Sequence, residues 1–154
     1  MKNIFKYACF LTVIIFILSS LSVSFASSKR INWYTYKQGL ELNKKEGKKI
    51  FLYFYADQCT YCKKMDKETF NDYSVASYIN DNFIPIKVNS DREVKIALAF
   101  GVRGLPSTWF IAENGERISS LPGYIPPKRL LDILKYINTD SFKEMAFRKF
   151  MGNM

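Results

Sequence analysis

Ile50-Phe51-Leu52-Tyr53-Phe54-Tyr55 runs directly into Ala56-Asp57-Gln58-Cys59-Thr60-Tyr61-Cys62-Lys63-Lys64, and this stretch decides the fold. Six aromatic or aliphatic residues in a row, with no polar alternation, read as a strand buried on both faces. Lys63-Lys64-Met65-Asp66-Lys67-Glu68 reads as helix, so the two cysteines sit where a buried strand turns into a helix. Cys59 then falls at the helix N-terminus, where free backbone N–H groups and the macrodipole favour a thiolate. Lys63 and Lys64 add positive potential. Cys62, three residues on, lies over the first turn within reach of the Cys59 sulfur. One thiol is exposed and activated, and the other is placed to resolve.

The surroundings narrow what a C-x-x-C pair does. Haem attachment requires a His after the second Cys, but Lys63 stands there and the chain has no His. A closed zinc site needs four ligands and an iron–sulfur cluster needs more thiolates than this pair offers. A structural staple across so short a loop restricts the unfolded chain little. Copper(I) held by two thiolates stays open. Redox exchange, with no metal and no cofactor, is the best reading.

Outward from this centre the chain alternates helix and strand. Trp33 to Glu46 reads as a helix with Leu40 and Leu42 among its apolar positions and Gly47 as its stop. The cysteine helix runs to about Phe70, and Asp72 is placed to cap a helix through Ile79. Phe83 to Val88 reads as a strand in which Pro85 argues against a fully hydrogen-bonded central position. Asp91 is placed to cap a helix through Phe100, with Ile96, Ala97 and Phe100 on its apolar side. Ser107 to Ala112 is a third strand, and Asn114-Gly115 turns it into Arg117 to Ser120. Pro127 opens a last helix with Leu130, Leu131, Leu134 and Ile137 inward. Crossovers first, then a hairpin and a helix, give an α/β sandwich. In residues 139–154, Phe142, Met145, Phe147, Phe150 and Met151 spread too broadly for one helix face and interleave with Lys143, Arg148 and Lys149. Packing against the domain is the default there, with a membrane or partner contact as the alternative.

The N-terminus has a separate character. Lys2 and Lys6 precede an apolar run, Tyr7 to Leu18, and a small-residue stretch, Ser19 to Ser28. This is the pattern of a bacterial-type secretory signal, with Ser24 and Ala26 suited to cleavage after Ala26. An uncleaved anchor is the rival, and either places the rest of the chain outside, in the periplasm. Cys9 leaves with this segment, and its flanks do not suit lipid attachment. We therefore divide the chain into 1–26 as signal or anchor, 27–138 as one domain, and 139–154 as a basic, aromatic tail. The formal charge is +9 over 154 residues, and only Lys2 and Lys6 of it lie in 1–26. An exported basic domain suits anionic surfaces or acidic partners rather than nucleic acid, for which no motif is present.

FYADQCTYCKKMD (residues 54–66) together with GVRGLPSTWFI (residues 101–111) resembles the thioredoxin superfamily. More narrowly, it is similar to exported bacterial thioredoxin-like proteins and to the C-terminal domain of the DsbD thiol:disulfide interchange family. The resemblance covers about residues 31–137. It implies a three-layer α/β/α sandwich with a mixed central sheet and a cis proline, Pro106, beside the redox pair. It also implies that the Leu105 backbone pairs with an extended substrate strand. Two positions depart from the pattern: Tyr53 stands where an acid is common six residues before the first Cys, and Gln58 where Trp is common. Asp66 occupies the place of the second acid of DsbD-like domains, and at i+4 from Cys62 it is positioned to take that thiol's proton. The alternative is a solvated Asp among Lys63, Lys64 and Lys67. Asp57 is read as a surface acid, Tyr53 as core with its hydroxyl a weak substitute for the missing acid, and Thr60 and Tyr61 as partner contacts.

The expected activity is reduction of protein disulfides by a monomer recharged from a membrane electron donor of the DsbD or CcdA kind. Oxidase or isomerase chemistry is the alternative within the fold, although Thr60-Tyr61 lacks the His favoured by strong oxidants. A copper(I)-binding or adaptor module is the alternative outside enzymes.

Overall fold

The computed structural model describes residues 30–153. Strand β1 (Ile50–Tyr55) lies inside a four-stranded sheet of order β2-β1-β3-β4. Strand β2 (Ile84–Asn89) runs parallel to it, and β3 (Ser107–Ile111) antiparallel. Strand β4 (Arg117–Pro122) closes the hairpin on β3. Ile50 to Phe54 are fully buried, because helices cover both faces.

Alternation along β1 sorts its side chains between two cores. Phe51 and Tyr53 face Met65, Ile79, Phe110, Leu130 and Leu134, so this side is covered by α2 (Thr60–Glu68), α3 (Tyr73–Asn82) and α5 (Pro127–Asn138). Ile50, Leu52 and Phe54 face Ala97, Phe100 and Leu40, under α1 (Tyr36–Glu46) and α4 (Val94–Phe100). The result is the expected three-layer thioredoxin-like sandwich with a mixed sheet. Gly39 lets α1 approach the sheet, since a Cβ there would run into the fully buried Ile86.

Local signals set most boundaries. Gly47 ends α1 in the left-handed region at φ 61°, Asp72 caps α3 through the Val75 N–H, and Pro127 opens α5. Two starts differ from the sequence reading. Helix α1 begins at Tyr36, under a capping box of Thr35 and Gln38, because Tyr34 is drawn into a parallel bridge with Ile86. The Tyr34 N–H donates to the Pro85 carbonyl at 2.9 Å, and the Lys87 N–H donates to the Tyr34 carbonyl at 3.1 Å. Pro85 shares the outward parity of Lys87, so its missing N–H falls on the sheet edge, where the ladder to β1 does not need it. Helix α4 begins at Val94 without an Asp91 cap. Asn89 Oδ1 instead accepts the Asp91 and Arg92 N–H groups, at 3.0 and 3.3 Å, and folds that segment into a turn.

The C-terminal residues pack on the domain. After a 3-10 turn (Ser141–Lys143) and α6 (Phe147–Gly152), the rings of Phe142, Phe147 and Phe150 gather around Tyr136 of α5. One ring at the centre explains why the aromatics do not form a single helical stripe. The expected signal or anchor, with Cys9 and the cut after Ala26, lies outside the described residues. Among the described residues no helix is long and apolar enough to cross a membrane.

Lys49, just before β1, is buried with its ammonium 2.7 Å from Glu113 and 3.2 Å from Asp140. The pairing ties the β3–β4 turn and the end of α5 to the sheet. Burial pushes the Glu113 carboxyl up, but the Lys49 hydrogen bond and charge hold it below its ordinary value. The Lys143 hydrogen bond, aided by Lys49, holds Asp140 down as well. Carboxyls depressed in the folded state contribute stability above their unfolded value and lose it as pH falls. The unfolding temperature is therefore expected to drop as pH falls below about 4, and Lys49→Met is expected to flatten that drop, as pH-dependent thermal melts would show.

Candidate active site

Strand β1 leads through Ala56, Asp57 and Gln58 to Cys59, which is the N-cap of α2. Its Sγ accepts the Cys62 N–H at 3.1 Å and its carbonyl accepts the Lys63 N–H. The sulfur thus takes a donor that the helix start leaves unpaired. Cys59 and Cys62 form a disulfide with a Cα–Cα distance of 5.2 Å. Cys59 is half-buried and Cys62 only 1% exposed, so the first cysteine is the more accessible of the pair and the second belongs to the core.

The second half of the centre comes from β3. Phe54 pairs with Ser107, so the start of β3 and the end of β1 share one end of the sheet. Pro106 immediately precedes Ser107, and the Leu105–Pro106 peptide bond is cis. Leu105 lines an open apolar groove with Val94, Ala97, Leu98 and Val102. Thr60 and Tyr61 are exposed, Tyr61 at 62%.

The acids take partners that the sequence reading does not foresee. Asp66 Oδ1 lies 2.8 Å from Lys87 Nζ of β2, a lysine from another element rather than the helix neighbours Lys63, Lys64 and Lys67. The same ammonium lies over the rings of Tyr55, Tyr53 and Trp33 at 4.6, 5.5 and 5.6 Å, within cation–π range. The signal for Lys87 was a single charge inside the apolar run Ile84-Pro85-Ile86-Lys87-Val88. Asp57, half-exposed, pairs with Arg92 at 2.6 Å and accepts from Asn89 Nδ2 at 3.1 Å. This fastens the approach to Cys59 against the β2–α4 turn. Tyr53 is core, as expected. Its hydroxyl is buried with no hydrogen-bond partner among the described residues, and burial, reinforced by the Asp66 charge, pushes the phenol far above its usual range. It stays protonated at neutral pH.

A cap cysteine bonded to a buried partner on the first helical turn, with a cis proline at the same sheet end, defines a thiol:disulfide oxidoreductase. The chain belongs to the thioredoxin-like family: the family model for a thioredoxin-like domain matches residues 36–138. A thiol:disulfide interchange protein DsbD from Photorhabdus laumondii is 32% identical over 111 residues, 69% of this chain but 19% of that protein. The chain thus spans about a fifth of the length of that relative. Among solved structures, a thioredoxin from Thermus thermophilus has a TM-score of 0.64 at 26% identity, covering 70% of this chain and 86% of that one. The reduced DsbD C-terminal domain of Neisseria meningitidis has a TM-score of 0.57 at 22% identity, over 66% and 92%.

The different burial of the two sulfurs makes a direct prediction. After reduction, a pulse of iodoacetamide at neutral pH is expected to alkylate Cys59 and to spare Cys62 until the chain is unfolded. Peptide mass mapping would show this, and equal labelling of both in the folded protein would contradict the asymmetry.

Proposed function

We propose that this chain is an exported reductase of protein disulfides, with Cys59 as nucleophile and Cys62 as resolving thiol. The observation that carries this is the asymmetric pair at the head of α2, facing the same sheet end as the cis Pro106. In the dithiol form, the Cys59 thiolate attacks a substrate disulfide, forming one S–S bond and releasing one substrate thiolate. Cys62 then attacks Cys59, releases the second substrate thiolate and leaves the Cys59–Cys62 disulfide. Two electrons pass to the substrate, and its two sulfurs take up the proton lost by Cys62 and one from solvent, which balances the proton Cys59 released on forming its thiolate.

Asp66, at i+4 from Cys62 on the same helix, is the acceptor for the Cys62 proton in this reading, and Lys87 holds its carboxylate at 2.8 Å. Leu105 and Pro106 form the platform along which an extended substrate lies, and Thr60 and Tyr61 form its exposed rim. The membrane donor of the DsbD or CcdA kind, the periplasmic location and the monomeric state belong to the same proposal. The likeness to DsbD supports the donor, and the Lys2-to-Ala26 pattern supports the location.

The reduction potential tests the direction: a value near about −270 mV supports a reductant, and one near about −120 mV refutes it. In an insulin reduction assay, Cys59→Ser is expected to abolish turnover and Cys62→Ser to accumulate mixed disulfides. Full turnover by either variant would remove the assigned roles. Asp66→Asn is expected to slow the resolving step at least about tenfold at neutral pH. The deficit should shrink as pH rises past about 8.5, where a thiol ionises unaided. A deficit independent of pH in stopped-flow traces would rule out the proton role.

A further inference from the structure

The segment after β4 touches both halves of the centre. Gly123, at φ 86°, donates its N–H to the Pro106 carbonyl at 2.7 Å. The neighbouring Tyr124 hydroxyl donates to Glu68 Oε2 at 2.6 Å, on the last turn of α2. The Ile125 carbonyl accepts from the fully buried Thr69 hydroxyl at 2.7 Å. Lys64 of α2 lies over the Tyr124 ring at 4.5 Å and 4.0 Å from Glu68. Three consecutive residues thus hold the proline turn at one end and the cysteine helix at the other.

We propose that Tyr124 is a positioning residue that couples the proline platform to the cysteine helix. This rests on the disulfide-exchange reading above. Only Tyr124 separates Gly123 from Ile125, and these two steps of chain span at most about 7 Å when extended, so the connection has little slack. A shift of Tyr124 relative to Glu68 is passed to Gly123 and, through its N–H, to the Pro106 carbonyl. Thr69 fixes the far end with a buried bond, whereas the Tyr124–Glu68 bond is at the surface and is the adjustable part. A protein substrate that must meet the platform and the Cys59 sulfur together senses this spacing. A small disulfide that meets only the sulfur does not.

The test compares wild type, Tyr124→Phe, Glu68→Ala and Glu68→Gln with insulin and with a small aromatic disulfide, dithiobis(nitrobenzoate). Tyr124→Phe is expected to raise KM for insulin about fivefold with little change in kcat, because uniform binding is lost. The rate with the small disulfide should stay within about twofold. Glu68→Ala should reproduce this, while Glu68→Gln, which keeps an acceptor, should hold KM near wild type. Hydrogen exchange at the Gly123 amide should quicken in Tyr124→Phe and Glu68→Ala. An unchanged KM, or equal slowing with both substrates, would overturn the coupling. Failure of the wild type on insulin would overturn the disulfide-exchange reading itself. The Gly123 amide still judges the brace in that case, and unaltered protection would reject it.

Discussion

Antiparallel pairing of β3 with β1 puts the exit of one strand and the entry of the other at a single sheet end, with Phe54 opposite Ser107. Everything at the centre depends on that register. A slip of one residue would turn Phe51 and Tyr53 out of one core and into the other. Five successive side chains, Ile50 to Phe54, are fully buried. Each is worth up to about 1.5–3 kcal/mol against exposure, as an upper bound. The strand that delivers Cys59 is therefore firmly held in the core. The loops that carry Cys59 and Pro106 hang from it, and bonds such as Asp57–Arg92 at the surface and Gly123–Pro106 against the buried proline set their spacing.

The fold was legible wherever its cause was local. The buried run of β1, the Asp72 cap, the Gly47 stop, the Asn114-Gly115 hairpin and the Pro127 start each act within a few residues, so a linear reading finds them. Signals failed where a distant partner competed. Tyr34 left the predicted helix because a vacant backbone edge on β2 offered it two hydrogen bonds. Asp91 gave up its cap because Asn89, buried and with a short side chain, reached the same N–H groups first.

The cysteines and Pro106 were legible for a related reason: their spacing and setting mark them without reference to the rest. The network around them was not. Asp66 lies four residues from Cys62, and helical geometry points the two at each other, but it cannot show a lysine arriving from a strand 21 residues away. Lys49 and Tyr124 show the same limit across 64 and 56 residues. A charge in an apolar strand, as at Lys87, is the one trace such pairings leave in the sequence.

That lysine also bears on why an acid from the helix suits a site lacking one on the strand. A lone carboxylate beside the inner sulfur would accept a proton, yet its charge would oppose the thiolate it helps to form. Lys87 offsets that charge at 2.8 Å while three aromatic rings hold the ammonium in place. Tyr53, buried and neutral, adds bulk to the core without adding a second negative charge. With the acid supplied by α2 and its counter-charge by β2, Asp66 and Lys87 make a near-neutral pair. In the proposed cycle, that pair takes a proton from Cys62 without raising the cost of the thiolate.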